Sequence, residues 1–381
     1  MIPYGRQDIT QGDIDAVVDV LRSDFLTQGP QVPLFEAALC AATGARHAVA
    51  VNSATSALHI ACLALGLGRG GLLWTSPNTF VATANVGHLC GADVDFVDID
   101  SDTFNMSASA LRAKLHAAHE AGKLPDILIV VHMCGQSADM ATIGALAREF
   151  GVRVIEDASH AIGGRYQEYP VGFCEHSDIC CFSFHPVKIV TTAEGGASTT
   201  NDAELAARME RLRSHGITRD PALMCGEPDG GWYYQQIELG LNYRMTELQA
   251  ALGVAQMARL EDYVARRNAL AERYDRLLSD LPLRRPGRLS GVLSAFHLYV
   301  IRVDPARRKA VFDHMRAAGI LVNVHYIPVH TQPYWRDHGF SSGDFPAAEA
   351  YYAAAISIPL YATLSDEQQD RVVAELARAL A

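Results

Sequence analysis

Residues 182–196 read FSFHPVKIVTTAEGG and place one lysine, Lys188, among apolar, aromatic and small side chains. An exposed lysine titrates near pH ~10.4, so at neutral pH its amine is protonated and a poor nucleophile. Burial or a neighbouring positive charge lowers that pKa, and the free amine can then attack an aldehyde. Lys188 is therefore a candidate Schiff-base lysine, although a surface lysine with a solvated head group fits the same residues.

The bulk composition is that of an ordinary globular protein. Its 381 residues are enough for two domains and a large buried core. Apolar residues make up 49% of the chain and charged residues 20%. The formal net charge of −11 argues against binding nucleic acid through a general basic field. No CxxC pair, signal core or long apolar run occurs. We expect a soluble cytoplasmic protein with no membrane contact, no metal and no disulfide framework.

Strand and helix patterns alternate along the first part of the chain. Helical periodicity at 138–150 and 202–213 separates apolar runs that predict strands at 47–51, 71–75, 92–100, 126–132, 152–157 and 178–184. This alternation is typical of a parallel sheet covered by helices on both faces. Ligands of such sheets lie at the carboxyl ends of the strands.

Two domains are predicted. Residues 1–255, with an N-terminal segment 1–30, form the larger one, whose first helix should bury Ile14, Val17, Val18 and Leu21. Residues 256–381 form a smaller α/β domain. It has predicted strands at 297–301 and 322–328, and a capping box at 365–368 opens its final helix.

Three strand ends carry residues suited to a ligand. Residues 52–56 (NSATS) join a strand to a helix, where free N–H groups favour an anion unless a hydroxyl simply caps the helix. Phe80 fits either a core position or a flat face stacked on a planar ring. Asp157 either caps the next helix or keeps a pyridinium nitrogen protonated, which would strengthen the electron sink of pyridoxal phosphate (PLP).

The order of the motifs resembles that of a known family. From Tyr4 to the last helix the chain resembles the DegT/DnrJ/EryC1/StrS family of PLP-dependent sugar aminotransferases. The matching motifs are Ser53-Ala54-Thr55, Phe80, Asp157 with His160, Ser183 with Lys188, Glu194-Gly195-Gly196 and Asn242-Tyr243-Arg244-Met245. The resemblance implies an α/β fold, the PLP-dependent transferase fold of type I, which is similar to aspartate aminotransferase. A large domain with a mainly parallel sheet and a smaller C-terminal α/β domain belong to that fold.

The resemblance also implies roles for the matching residues. Lys188 would be the catalytic lysine that bonds to PLP. Cofactor contacts would come from Ala54 and Thr55 (phosphate, through N–H groups), Ser183 (phosphate, through its hydroxyl), Asp157 (ring nitrogen), His160 (ring and phenolic oxygen), Phe80 (ring face) and Asn242 (phosphate, from the other subunit of a homodimer). The nucleotide sugar would face Tyr4, Leu26, Thr27, Gln28, Gly29, Ser56, His325 and Tyr326.

Within the family, the resemblance is strongest to the branch that acts in pseudaminic acid biosynthesis, where Ser-Ala-Thr replaces the more common Ser-Gly-Thr. It implies transfer of an amino group from a donor, glutamate, to C4 of a UDP-linked 4-keto-6-deoxy-N-acetylhexosamine. A different C3 or C4 nucleotide-sugar aminotransferase, or a non-catalytic nucleotide-sugar-binding protein, is an alternative. A 3-dehydratase would carry histidine in place of Lys188, and a nicotinamide enzyme would need a GxGxxG turn that residues 52–55 lack.

Overall fold

The computed structural model describes residues 1–381 as an α/β protein. Its strands are β1 (Ile2–Pro3), β2 (His47–Val51), β3 (Leu72–Thr75), β4 (Asp93–Phe96), β5 (Ile127–Val131), β6 (Arg153–Asp157), β7 (Arg165–Tyr166), β8 (Tyr169–Pro170), β9 (Ile179–Ser183), β10 (Gly196–Thr200), β11 (Ile217–Thr218), β12 (Gln235–Gln236), β13 (Val292–Leu293), β14 (Tyr299–Arg302), β15 (Ile320–Leu321) and β16 (Ala355–Ile358). Its α-helices are α1 (Gln11–Leu21), α2 (Gln31–Thr43), α3 (Ala54–Ala64), α4 (Ala82–Leu89), α5 (Ala108–Glu120), α6 (Met140–Phe150), α7 (Ala203–Arg213), α8 (Glu247–Met257), α9 (Leu260–Leu277), α10 (Pro305–Ala317), α11 (Pro333–Arg336), α12 (Pro346–Ala354) and α13 (Asp366–Leu380).

A seven-stranded sheet with the order β2-β10-β9-β6-β5-β3-β4 forms the centre of the fold. Its neighbours pair in parallel except around β10, which runs antiparallel to both β2 and β9. The register places Gly196 opposite Ser183 on one side and opposite Val51 on the other. The prediction of a mainly parallel sheet is confirmed, and the two ends of the Lys188 loop are fixed on neighbouring strands.

Both faces of this sheet are covered, which explains the continuous apolar runs of its strands. Ile127 and Ile129 of β5 pack in the core cluster that contains α3 and α4, whereas Leu128 and Val130 pack in the cluster that contains α5 and α6. Successive side chains of a strand point to opposite faces, so one buried strand contributes to two cores. None of the helices is long and apolar enough to cross a bilayer.

The C-terminal part has its own small antiparallel sheet, in which β14 pairs with β16. A core cluster of 21 residues joins this sheet to α9, α10 and α13. The capping box of α13 at Ser365 forms as predicted, and its inward face is buried. β1 pairs in parallel with β15, which ties the N-terminal residues to this part of the chain. The domain boundary predicted at residue 255 falls inside α8 and stays a prediction.

The predicted buried face of α1 is wrong. Ile14 and Leu21 are 46% and 58% exposed, whereas Asp13 is 1% exposed. The Asp13 carboxylate accepts hydrogen bonds from Arg259 (2.7 Å) and Gln256 (3.1 Å), so an ion pair with α8 and its C-terminal flank sets the rotation of the helix. Apolar periodicity alone does not contain that partner, which is distant in the sequence.

The predicted strand at 322–328 is also wrong. Only Ile320–Leu321 is a strand, and the chain that follows it forms a single bridge, between Asn323 and Ser357. This irregular segment turns toward the carboxyl ends of the central strands, where Asn323, Val324, His325 and Tyr326 line a cavity. Its apolar residues are used to position polar side chains rather than to extend a sheet.

Candidate active site

A cavity of about 850 Å³ opens at the carboxyl ends of the central strands. Asp157 and Ser183 are the last residues of β6 and β9, and residues 52–56 follow β2 directly. The irregular segment 323–326 closes the opposite wall. Of the residues predicted to form a site, the structure brings these together around the cavity: Tyr4, Ala54, Thr55, Ser56, Phe80, Asp157, His160, Ser183, Lys188, His325 and Tyr326.

The NSATS turn forms the start of α3. Ser53 is the N-cap, and its hydroxyl oxygen accepts a hydrogen bond from the Ser56 N–H (3.1 Å), so the cap and the anion site predicted there share one turn. Gly196 lies directly opposite, and a Cβ at that position would be 2.6 Å from the Ala54 nitrogen. The free N–H groups of Ala54 and Thr55, the helix dipole and the nearby Ser183 hydroxyl make this turn a ready anion site.

The Asp157 carboxylate is 5% exposed and is held from two sides. Thr83 Oγ1 donates to Oδ2 (2.7 Å), while the N–H and hydroxyl of Ser159 donate to Oδ1 (3.1 and 2.6 Å). These hydrogen bonds from both sides fix the direction of the carboxylate. The carboxylate is therefore a fixed acceptor for a donor within the cavity.

The hydrogen bonds of His160 indicate which ring nitrogen carries the proton. Nδ1 accepts from the N–H of Cys134 (3.3 Å), so Nε2 carries the hydrogen and donates it to Tyr326 Oη (3.1 Å). Burial, together with the charges of Lys188 and His325, holds the pKa of His160 well below its ordinary range. His160 is therefore a neutral imidazole with a fixed tautomer.

Lys188 is half-buried and faces the cavity, and its amine forms no ion pair. Burial lowers the pKa of Lys188 to about 8, although the negative charge of Asp157 acts in the opposite direction. The loop that carries Lys188 is pinned by backbone bonds from Phe184 N to Gly195 O (2.9 Å) and from Thr192 N to Phe184 O (2.9 Å). A free amine is thus available near neutral pH at a fixed place.

Aromatic and imidazole rings form the wall opposite the anion site. His325 Nδ1 shares a hydrogen bond with Ser357 Oγ (2.8 Å), and the Tyr4 ring lies 5.1 Å from the His325 ring. Burial and the charge of Lys188 lower the pKa of His325 to about 3. Phe80 is 58% exposed at the cavity, 6.0 Å from the Tyr326 ring, so it is not a core residue and its face is available to a planar ligand.

The remaining predicted residues do not line the cavity of their own chain. Leu26, Thr27, Gln28 and Gly29 lie beside the start of α8, where Leu26 O accepts from the Glu247 N–H (3.0 Å) and Thr27 bridges to Thr246. Asn242, in the segment leading to α8, is exposed. The sequence reasoning did not assign a role to several cavity residues: Thr83, Ser159, His185, Glu194, His297 and Asn323. Glu194, His185 and Ser159 lie in or beside the motifs named above, whereas no local motif marks Thr83, His297 and Asn323, which reach the cavity through contacts distant in the sequence.

Comparison with known proteins identifies the type of site. The model of the DegT/DnrJ/EryC1/StrS aminotransferase family matches residues 7–377. The chain belongs to this family. SpsC of Bacillus subtilis, a spore coat polysaccharide biosynthesis protein, is 38% identical over 98% of this chain and 95% of its own. A UDP-4-amino-4,6-dideoxy-N-acetyl-beta-L-altrosamine transaminase of Campylobacter jejuni is 36% identical over 95% of this chain and 93% of its own.

Solved structures agree with the DegT/DnrJ/EryC1/StrS assignment. PseC of Helicobacter pylori, an aminotransferase of pseudaminic acid biosynthesis, superposes with a TM-score of 0.90 at 31% identity, covering 100% of this chain and 99% of its own. Spr1654 of Streptococcus pneumoniae, in its PMP form, gives 0.90 at 29% identity over 100% and 99% of the two chains. It is also known in a PLP form. The protein is a PLP-dependent nucleotide-sugar aminotransferase with the expected type I fold.

The residues of the cavity fit this cofactor. The anion site at the start of α3 suits a phosphate, the fixed carboxylate of Asp157 suits a ring nitrogen, and the amine of Lys188 suits an aldehyde. When bound, PLP supplies an electron sink that stabilises the negative charge left on a carbon that loses a proton. The described residues show no cluster suited to a metal ion.

Proposed function

We propose that this DegT/DnrJ/EryC1/StrS enzyme aminates C4 of a UDP-linked 4-keto-6-deoxy-N-acetylhexosamine, with glutamate as the amino donor, in pseudaminic acid biosynthesis. The observation that carries the proposal is the similarity over nearly the whole chain to the Campylobacter transaminase and to Helicobacter PseC. A second candidate, amination of another nucleotide sugar at C3 or C4, is supported by the 38% identity to SpsC, a protein of spore coat polysaccharide biosynthesis.

The proposed cofactor contacts follow the geometry of the cavity. The N–H groups of Ala54 and Thr55 and the hydroxyl of Ser183 would bind the phosphate, because they converge on the start of α3. Asp157 would bind the ring nitrogen, and its bonds from Thr83 and Ser159 hold the carboxylate in place for that purpose. Phe80 would cover one ring face, and the neutral His160 would lie beside the ring and its phenolic oxygen.

Lys188 is the proposed proton carrier. Its amine would accept a proton from the α-carbon of the donor and later deliver one to the sugar carbon. A general base works best when its pKa lies near the working pH, and the lowered pKa of Lys188, about 8, is close to that range. The surrounding imidazoles of His160 and His325 are uncharged, so they bind and orient without competing for the proton.

A shared site in a homodimer accounts for the predicted residues that lie outside the cavity. Thr27 bridges to Thr246, four positions after Asn242, so the 26–29 segment and Asn242 lie on neighbouring parts of the chain. Asn242 is exposed, as are Leu26, Thr27 and Gln28. We propose that these residues complete the cavity of the partner subunit, with Asn242 on the phosphate and the 26–29 segment on the nucleotide sugar.

The sugar would contact the wall opposite the cofactor. Tyr4, His325 and Tyr326 provide hydroxyl and imidazole groups there, and Ser56 provides a hydroxyl from the 52–56 turn at the start of α3. Sugar hydroxyls require donors and acceptors in fixed positions, and His325 is fixed by Ser357 while Tyr326 is fixed by His160. The positions of these groups would therefore discriminate between sugars that differ at single carbons.

The decisive experiment supplies PLP, glutamate and a panel of UDP-linked keto sugars to the protein and identifies the products by NMR. An amine at C4 of the 4-keto-6-deoxy-N-acetylhexosamine is expected. Turnover of only another keto sugar, or amination at C3, would support the second candidate. No turnover of any keto sugar by protein that carries the cofactor would contradict both proposals.

Removing the lysine tests the mechanism separately. Lys188→Ala should abolish both turnover and the absorbance of the lysine-bound cofactor, because no other lysine lines the cavity. Lys309→Ala, at a side chain that is 87% exposed, is the matched control and should behave as the wild type. A Lys188→Ala protein that still transaminates would refute the assignment.

A further inference from the structure

A buried arginine lies behind the cavity wall. Arg267 of α9 is 2% exposed, and burial lowers its pKa to about 10. Its Nη1 donates to three backbone carbonyls: Leu360 O (2.9 Å), Phe296 O (3.1 Å) and His297 O (3.3 Å). No carboxylate pairs with this guanidinium, and its Nε has no hydrogen-bond partner. A buried cation without a counter-ion opposes folding, so its presence calls for a functional reason.

The backbone that Arg267 clamps belongs to a tight segment. Phe296 has a φ of 47°, in the left-handed region that residues other than glycine seldom adopt. Bonds from Ala295 N to Gly135 O (2.9 Å) and from Leu298 N to Cys134 O (3.2 Å) hold the segment on both sides. The guanidinium binds the carbonyls of Phe296 and His297, which lie between these bonds, and the Phe296 N–H donates to Ser294 Oγ (3.1 Å).

His297 is the side chain that this segment presents to the cavity. It is 3% exposed, it lines the cavity, and its Nδ1 has no hydrogen-bond partner. Its ring centroid lies 4.4 Å from that of His160. The charged or titratable groups that face His297 are His160, Lys188 and His325 around the cavity and Arg267 behind it. Burial, together with these four groups, holds the pKa of His297 well below its ordinary range.

We propose that Arg267 is a positioning residue of this active site. Its guanidinium holds the Phe296–His297 backbone so that the His297 ring supports His160, and its buried charge adds to the effect of burial in opposing a second cation beside Lys188. The arginine acts through His297 and touches neither substrate nor cofactor. With both imidazoles neutral, Lys188 is the only group of this wall that exchanges a proton in the working pH range. The inference rests on the proposed roles of Lys188 and His160.

Arg267→Gln tests the charge, because glutamine keeps an N–H donor for the carbonyls but is neutral. Protein with isotope-labelled histidine rings is titrated by NMR with PLP bound, and the His297 resonance is identified by its loss in His297→Phe. In the wild type the ring should stay unprotonated throughout the range in which the protein is folded. In Arg267→Gln its midpoint should rise by on the order of one pH unit or more, into that range.

Two matched variants separate the charge from the packing. Arg266→Gln removes a positive charge one residue earlier on α9, where the side chain is 41% exposed, and should leave the His297 titration unchanged. Arg267→Lys keeps the charge and should restore an unprotonated His297. The rate at which an amino acid converts bound PLP is followed by absorbance as a function of pH. In Arg267→Gln this rate should show an additional fall at low pH. The double variant Arg267→Gln/His297→Phe should not show that fall.

An unprotonated His297 in folded Arg267→Gln throughout the same range would overturn the inference. If Arg267→Gln does not fold, a wild-type His297 that titrates near pH ~6.5 would overturn it equally. The cofactor absorbance in the same samples keeps this result apart from the proposed function. If the wild-type protein shows no absorbance of a lysine-bound cofactor, the proposed site itself is wrong. If it shows that absorbance, the titration result bears only on the role of Arg267.

Discussion

The reactivity of Lys188 should depend on pH in a way that the cavity dictates. With a pKa of about 8, roughly one tenth of the Lys188 side chains carry a free amine at pH ~7. For an ordinary lysine with a pKa of ~10.4, only about one side chain in 2500 carries a free amine at that pH. Lys188 should therefore react with aldehydes some two hundred times faster than an ordinary lysine at pH ~7, and the rate should level off above pH ~8.

Removing the opposing charge should move this profile in a defined direction. Asp157 is the group that raises the pKa of Lys188 against the effect of burial. Asp157→Asn should therefore lower the pKa of Lys188 further, so that the rise in reactivity shifts to lower pH. Because folding lowers this pKa from 10.5, the protonated amine opposes folding below pH 8. The cofactor-free protein should gain stability as the pH rises from 8 toward 10.5.

Trapping with borohydride followed by peptide mass spectrometry measures the reaction at each lysine. Cofactor-free protein is exposed briefly to PLP across a pH series, and Lys309, 87% exposed, serves as the internal reference in the same digest. A Lys188 profile that rises near pH ~10.4 would refute the reasoning about burial. A profile that moves to higher pH in Asp157→Asn would refute the reasoning about charge.

Three further variants test other parts of the site. Thr83→Val removes the hydrogen bond to the buried Asp157 carboxylate and should lower the free energy of unfolding by about 1.5–3 kcal/mol. Thr75→Val, the control, removes a hydrogen bond to a neutral carbonyl and should lower it by about 0.5–1.5 kcal/mol. Equal losses of the two variants in urea unfolding would contradict this expectation. Gly196→Ala would place a Cβ 2.5 Å from the backbone of the anion site and should reduce the affinity for PLP, measured by absorbance titration. A Cβ at Gly68 would meet no atom within 4 Å, so the control variant Gly68→Ala should bind PLP normally. Asn242→Ala should weaken PLP retention by roughly 1–3 kcal/mol. Mixed dimers of an Asn242→Ala chain with a Lys188→Ala chain should regain one working site. A mixture with no recovered activity would argue against a site shared between subunits.

Residues that belong to one short motif were predictable from the sequence. The NSATS turn, the strand that ends in Asp157 and the loop after Ser183 each combine a strand end with residues suited to a ligand. In a parallel sheet the carboxyl ends of the strands meet at one edge, so placing the motifs on strands is enough to bring them together. Asp157 at the end of β6 and Lys188 in the loop after β9 line the same cavity, as this rule predicts.

Residues whose role comes from a distant partner were not predictable. Thr83 reads as one more polar residue of a helix, and only the fold places its hydroxyl 2.7 Å from Asp157. Arg267 reads as part of a charged helical pattern, yet it is buried against three carbonyls. The face of α1 was mispredicted for the same reason, since Asp13 turns inward to meet Arg259. Hydrophobic periodicity reports average burial and does not identify individual polar partners.

The antiparallel placement of β10 beside β9 has a practical consequence for engineering. Because Gly196 is locked opposite Ser183, the segment 184–195 leaves the sheet and returns to it at adjacent points. Replacements at the more exposed positions of the segment, such as His185, Ala193 and Glu194, therefore do not have to shift a strand pairing. Libraries limited to these exposed positions should vary the surroundings of the Lys188 amine while the strands on either side stay paired.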